Sequence, residues 1–334
     1  MAERYFIGKV QWSTLLGGWM EKYQILAPQK HEGGLFLEPV SMENLSTIVY
    51  DAARAVQPLK AFLFPALEEV TGEKAEPEKP WLFLGIKACG LSALPILDQA
   101  YGGEFADPHY QKRRQESLIV SSDCSQPWET CFCTLIGGKP YPSEGFDLNL
   151  SKVWDGFIVE AGSARGKALL EGHDEVLKEV VKEEAEALDK MRKETVSKIE
   201  KQNKEYRLPA DLQKLMAGSW ESDVWKVHSE TCVECGACNH ACPTCHCYFL
   251  DDVTRKEFVK LRGWDACQYS GYAVTAGGGT PRPHLYERFR NRYFCKIKYL
   301  FENYNRLGCT GCGRCIEGCQ GRIDMRAALN DLTK

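Results

Sequence analysis

Cys232, Cys235, Cys238 and Cys242, followed by Pro243, have the spacing C-x2-C-x2-C-x3-C-P, and Cys309, Cys312, Cys315 and Cys319 repeat it with Gln320 in place of the proline. Three thiolates spaced three residues apart can wrap one face of an iron-sulfur cubane while the intervening backbone N–H groups point at its sulfides. The fourth cysteine leaves along a helix and reaches the other cluster. That rule assigns Cys232, Cys235, Cys238 and Cys319 to one 4Fe-4S cluster, and Cys309, Cys312, Cys315 and Cys242 to a second. Two adjacent clusters make a path for single electrons. A four-cysteine zinc site instead pairs two separated C-x2-C knuckles around one tetrahedral ion, so three successive cysteines at this spacing suit a cluster better.

Cys242-Pro-Thr-Cys245-His246 also fits C-x-x-C-H, the pattern of covalent haem attachment. Cys242 is already needed as a fourth cluster ligand, and haem attachment goes with export, for which no signal is seen, so no haem is expected. Cys245, Cys247, Cys267 and Cys295 have no recognisable ligand spacing and read as buried packing residues.

Earlier in the chain, Cys124-Ser-Gln-Pro-Trp-Glu-Thr-Cys131-Phe-Cys133 follows a strand expected at 118–120, and Cys89 follows one at 81–86. Four thiols at neighbouring strand ends are the right number for one more cluster. The spacing alone leaves a cluster, a zinc site and unligated thiols all open.

The elements that must position these residues fall into three stretches. Apolar runs at 60–65, 81–86, 117–120 and 156–160 read as strands, alternating with helical stretches at 42–56, 91–99 and 165–170, so residues 1–172 are expected to form an α/β domain. Residues 173–208 contain a densely charged segment, 174–206, without Gly or Pro and with apolar residues at Leu177, Val181, Leu188, Met191 and Ile199. This predicts a long helix acting as a solvated connector with one narrow packing stripe. The two motifs lie far apart in 209–334, with a helical stretch at 285–304 between them, which favours a helical two-cluster ferredoxin-like domain over the compact βαβ kind. The fold class is thus α+β and multidomain.

The composition narrows the function classes. The chain has 334 residues, 42 Lys+Arg against 46 Asp+Glu, and is 44% hydrophobic, so it is neither disordered nor globally attracted to nucleic acid or an anionic membrane. It shows no signal-peptide pattern and no integral membrane segment, and a cytoplasmic location is expected. Sixteen cysteines in a reducing compartment point to metal rather than disulfides. Residues 281–306 are basic and aromatic, a combination that can bind single-stranded nucleic acid. A helix between two anionic clusters accounts for it better, so no nucleic acid is expected. Gly277-Gly-Gly-Thr-Pro lacks a preceding strand and a following Lys and reads as a turn. The seven histidines are scattered and build no hydrolase or triad constellation, so no catalytic residue is assigned.

The combination of Gly85-Ile-Lys-Ala-Cys89, Asp107-Pro-His-Tyr-Gln-Lys-Arg-Arg114, Cys124 to Cys133, Asp147-Leu-Asn-Leu, Trp264-Asp-Ala-Cys267 and the twin motif with Cys312-Gly-Arg-Cys315 resembles the iron-sulfur subunit that anaerobic sulfite reductases share with cytosolic sulfhydrogenases, where it is the beta subunit. Thr130-Cys-Phe-Cys133 is its most specific part. The resemblance implies that Cys89, Cys124, Cys131 and Cys133 hold a third cluster, 4Fe-4S in preference to 2Fe-2S. It also implies a hetero-oligomer in which this chain passes electrons between a flavoprotein subunit that oxidises a nicotinamide cofactor and a separate catalytic redox subunit. The competing readings are a zinc-stabilised interaction module and a chain that is itself catalytic through an additional cluster.

Overall fold

A computed structural model describes residues 3–71, 78–104, 106–254 and 258–334. Its first half is built on one eight-stranded sheet. The strands are β1 (Arg4–Gly8), β2 (Gln24–His31), β3 (Gly34–Pro39), β5 (Trp81–Ile86), β6 (Leu118–Ser122), β7 (Leu148–Val153), β8 (Gly156–Ala161) and β9 (Lys178–Glu179), in the order β3-β2-β5-β6-β7-β8-β1-β9. The centre, β2-β5-β6-β7, is parallel. Strands covered on both faces need a near-continuous apolar run, which Trp81-Leu-Phe-Leu-Gly-Ile86 and Leu118-Ile-Val120 supply.

Alternation along β5 serves two cores. Leu82 and Leu84 face a layer containing Trp12, Leu16, Ile25, Val120 and Phe157, while Phe83 faces Leu97, Tyr110 and Ile119. At Gly85 (φ 77°) the register with β6 shifts, and Ile86 joins the face of Phe83. A side chain at Gly85 would press on the Pro28 ring, and the left-handed φ favours glycine. The bulge therefore sets the direction in which Lys87 and Cys89 leave the strand. Trp12 anchors the first core, fully buried with its indole N–H donating to the Tyr50 hydroxyl at 3.2 Å. Trp12→Ala is expected to cost about 3–5 kcal/mol, measured as a lower urea midpoint with an unchanged slope.

Two residues of the resembling motifs are framework residues. Asp107 caps the helix Pro108–Glu116 by accepting from the His109 and Tyr110 amides. Asp147 accepts from the Ile119 amide and from Ser163, tying β6 to the helix Ala164–Leu170.

Several elements differ from expectation. Residues 60–65 hold the helix Lys60–Leu63 rather than a strand, and the Lys60 ammonium is drawn inward onto the Asn239 and Cys245 carbonyls. Residues 42–56 hold only the 3-10 turn Leu45–Thr47, because the Asn44 side chain satisfies the Ser41 amide and the Pro39 carbonyl. The charged segment is helical over Lys182–Gln202, while Lys178–Glu179 pairs with β1 as the sheet edge. Nor is that helix a free connector. Leu188 packs on Val153 and Ile158, Arg192 pairs with buried Asp123 at 2.7 Å, and the Gln202 and Asn203 amides both donate to the Cys131 carbonyl.

The second half contains one long helix, Leu285–Phe294, continued by the π turn Cys295–Tyr299 and by Leu300–Tyr304. Phe289, Tyr293 and Phe294 pack with Trp225, Met216 and Leu329 in its core. It is not purely helical. β10 (Tyr248–Thr254) and β11 (Phe258–Trp264) pair antiparallel, and β4 (Leu67–Glu69) from the first half adds to β11. Buried Glu68 locks this junction by pairing with Arg113 at 2.6 Å and with Arg262, which also pairs with Asp107. Among the described residues no helix is long and apolar enough to cross a membrane.

Candidate metal centres

The two C-terminal loops are conformational copies. Glu234 (φ 55°) and Gly236 (φ 67°) flank Cys235, and Gly311 (φ 63°) and Gly313 (φ 74°) flank Cys312, all left-handed. Each loop then enters a one-turn helix carrying the third cysteine, Ala237–His240 and Arg314–Glu317. Left-handed residues interleaved with right-handed ones turn successive N–H groups to one side and make an anion-binding concavity. The strained Glu234 is held through its carboxylate, which accepts from Arg288 at 2.6 Å.

The fourth cysteines cross over. Cys232, Cys235, Cys238 and Cys319 line one cavity, whereas Cys242 lies near Cys309 and Cys315. The two groups abut, since Cys315 also lines the first cavity. Arg292 stands between them, 4% exposed. Burial opposes its charge, but the sulfurs of Cys238, Cys315 and Cys242 hold the guanidinium protonated well above its ordinary range.

Cys89, Cys124, Cys131 and Cys133 meet in a second cavity, joined there by Cys312. The cavity opens where parallel strands β5 and β6 end, a common place for a ligand in such sheets. Burial pushes the Cys124 thiol to about 11 and the Cys133 thiol to about 12, the neighbouring Cys89 adding to both and Lys87 opposing at Cys124. Lys87 is wholly buried and donates to the Tyr50 and Asp123 carbonyls and to Ser122. Ile199 of the helix Lys182–Gln202 closes the cavity.

The segment 130–133 lies against the second motif. The Phe132 amide donates to the Gly311 carbonyl at 2.8 Å, and Thr130 donates to Glu317. Arg54 donates to the Cys312 carbonyl and pairs with Glu317, both at 2.6 Å, while Arg314 reaches back to the carbonyls of Ala55 and Val56. A Cβ at Gly311 would collide with the Cys133 backbone, and one at Gly313 with the Thr130 carbonyl. Gly311→Val is expected to destabilise the chain by about 1–2 kcal/mol from the left-handed backbone alone, plus the collision. The check is a lower denaturation midpoint together with faster proteolysis between 124 and 133.

Two features fit these cavities to iron-sulfur groups. Arg54, Arg292, Arg314, Tyr293 and Thr310 each keep a buried side-chain polar atom without a hydrogen-bond partner, and all can donate to a sulfide. Arg54, Lys87 and Arg292 are buried beside the thiols, and buried Asp123 near Cys124 is paired with Arg192, so the setting suits an anionic guest. The basic stretch 281–306 is thereby accounted for, since Arg288, Arg290, Arg292 and Lys296 are all buried.

No motif flags Arg54 or Lys60, and Lys87 has no role assigned from sequence although it lies within Gly85-Ile-Lys-Ala-Cys89. Sequence reasoning also treated Cys245, Cys247, Cys267 and Cys295 as separate packing residues, although they lie together.

Residues 231–323, which hold both cysteine motifs, match the family model of a 4Fe-4S dicluster domain. Over 320 residues, 92% of this chain and 92% of the relative, the sequence is 29% identical to sulfhydrogenase 2 subunit beta of Pyrococcus furiosus. The resemblance carried by the motifs is borne out along nearly the whole chain.

Proposed function

We propose that the chain is a non-catalytic electron-transfer subunit of a cytoplasmic oxidoreductase complex. Cys232, Cys235, Cys238 and Cys319 hold one 4Fe-4S cluster, Cys309, Cys312, Cys315 and Cys242 a second, and Cys89, Cys124, Cys131 and Cys133 a third; no haem is bound. Such clusters, when bound, take up and release single electrons. One observation carries the reading: the three thiol groups form a file, joined at one end by Cys312 and at the other by Cys315. Arg54, Lys87 and Arg292 supply buried positive charge along it.

A file with two ends suits a carrier between two partners. By likeness to the sulfhydrogenase subunit, these are a flavoprotein subunit that oxidises NAD(P)H and a separate catalytic subunit of hydrogenase, sulfite reductase or heterodisulfide-reductase-like kind. The test is anaerobic purification of the chain with its companions. Reduced nicotinamide is expected to bleach the visible iron-sulfur absorption of the flavin-containing complex but not of the isolated chain. Turnover of a substrate by the isolated chain with an artificial donor would contradict a carrier role.

A further inference from the structure

Cys245, Cys247, Cys267 and Cys295 are assigned to none of the three groups, although the Cys245 side chain is hydrogen-bonded to that of Cys242, and they converge from three separate segments. Cys245 and Cys247 follow the first motif and lead into β10, Cys267 follows β11, and Cys295 opens the π turn. The Asp265 amide donates to the Cys247 carbonyl at 3.0 Å, holding the two ends of the β10–β11 hairpin side by side. The buried Asn239 amide nitrogen lies 3.2 Å from the Cys267 sulfur and 3.6 Å from the Cys245 sulfur, so one group touches both. The Tyr272 hydroxyl lies 3.3 Å from the Cys247 sulfur. Burial raises the Cys267 thiol, and nearby Cys247 and Cys295 raise it further.

Two buried cations face this group. Lys60 donates to the Asn239 and Cys245 carbonyls at 3.2 and 2.8 Å and lies over the Trp264 ring at 4.1 Å, and Lys296 donates to Thr244 at 2.6 Å. Among the described residues neither pairs with a carboxylate. Each is no more than 3% exposed, and a buried ammonium without an anion costs several kcal/mol. Cys242, already assigned to the second-motif group, faces both lysines, and neutral packing thiols add no further anion. Four thiolates around a metal cluster do.

We propose that Cys245, Cys247, Cys267 and Cys295 hold a further four-iron cluster beside Cys242, with Asn239 and Tyr272 donating to its thiolates and Lys60 and Lys296 as countercharge. The proposal rests on the chain being an iron-sulfur protein, and its failure is separable from failure of that reading. The full chain, purified anaerobically, is assayed for iron and acid-labile sulfide, weighed by native mass spectrometry, and compared with Cys267→Ser and Cys247→Ser. About sixteen irons are expected instead of about twelve, and about four fewer in either variant, because each four-cysteine group holds four. The reduced-cluster resonances of the other groups should persist in the variants, showing that they have folded. Iron content unchanged by both substitutions overturns the further cluster and leaves the three-group reading intact. Zinc without iron overturns both.

Discussion

Replacing Cys312 by serine is expected to remove about four irons and to separate the two ends of the electron path. Cys312 belongs to the second-motif group yet also lines the N-terminal cavity, and its carbonyl accepts the Arg54 guanidinium. Passage of electrons between the outer groups should fall by at least the roughly 10- to 100-fold associated with losing an outer partner of a metal site, since a direct ligand matters more. Cys89→Ser is the control. It should lose a comparable amount of iron while leaving the paired motif groups able to exchange electrons. Iron analysis with rapid-freeze spectroscopy of stepwise reduction distinguishes the two variants, and exchange between the paired motif groups that is equally affected in both would deny Cys312 its place at the joint.

Removing the charge of Arg292 while keeping its bulk, as Arg292→Met, is expected to lower the reduction potentials of both motif clusters by on the order of 100 mV. A unit charge about 6 Å away at an effective dielectric near 20 contributes about 3 kcal/mol, and a one-electron couple shifts by about 59 mV for each tenfold change in equilibrium constant. The sign follows from charge: each cluster gains an electron on reduction, and a buried cation favours the more negative state. Arg292→Lys should keep most of the potential but lose the guanidinium fork, whose Nε has no protein partner. Potentiometric titration of both variants is the check. A shift of one cluster alone would place the guanidinium beside that cluster rather than between the two.

The parts legible in the sequence are those where chemistry imposes local spacing. Three cysteines at intervals of three must form a wrapping loop, and the left-handed residues around Cys235 and Cys312 are that requirement in backbone form. The central strands were legible because burial on both faces needs unbroken apolar runs. What was not legible depends on distant partners. Lys60 sits in a run that reads as a strand, yet carbonyls of Asn239 and Cys245 fix it on a short helix. β10 is mostly exposed and gives little alternation to read. The four remaining cysteines come together only because the β10–β11 hairpin and the long helix fold onto the first motif, an arrangement no local spacing encodes.

The clustered thiols are expected to carry redox-active iron in groups close enough to exchange electrons. Anaerobic metal analysis combined with a potentiometric titration followed by electron paramagnetic resonance tests this most directly. The account requires at least about twelve irons per chain, successive one-electron reductions, and resonances broadened by magnetic coupling once neighbouring clusters are both reduced. Zinc in place of iron, or iron that keeps one oxidation state throughout the titration, would contradict it.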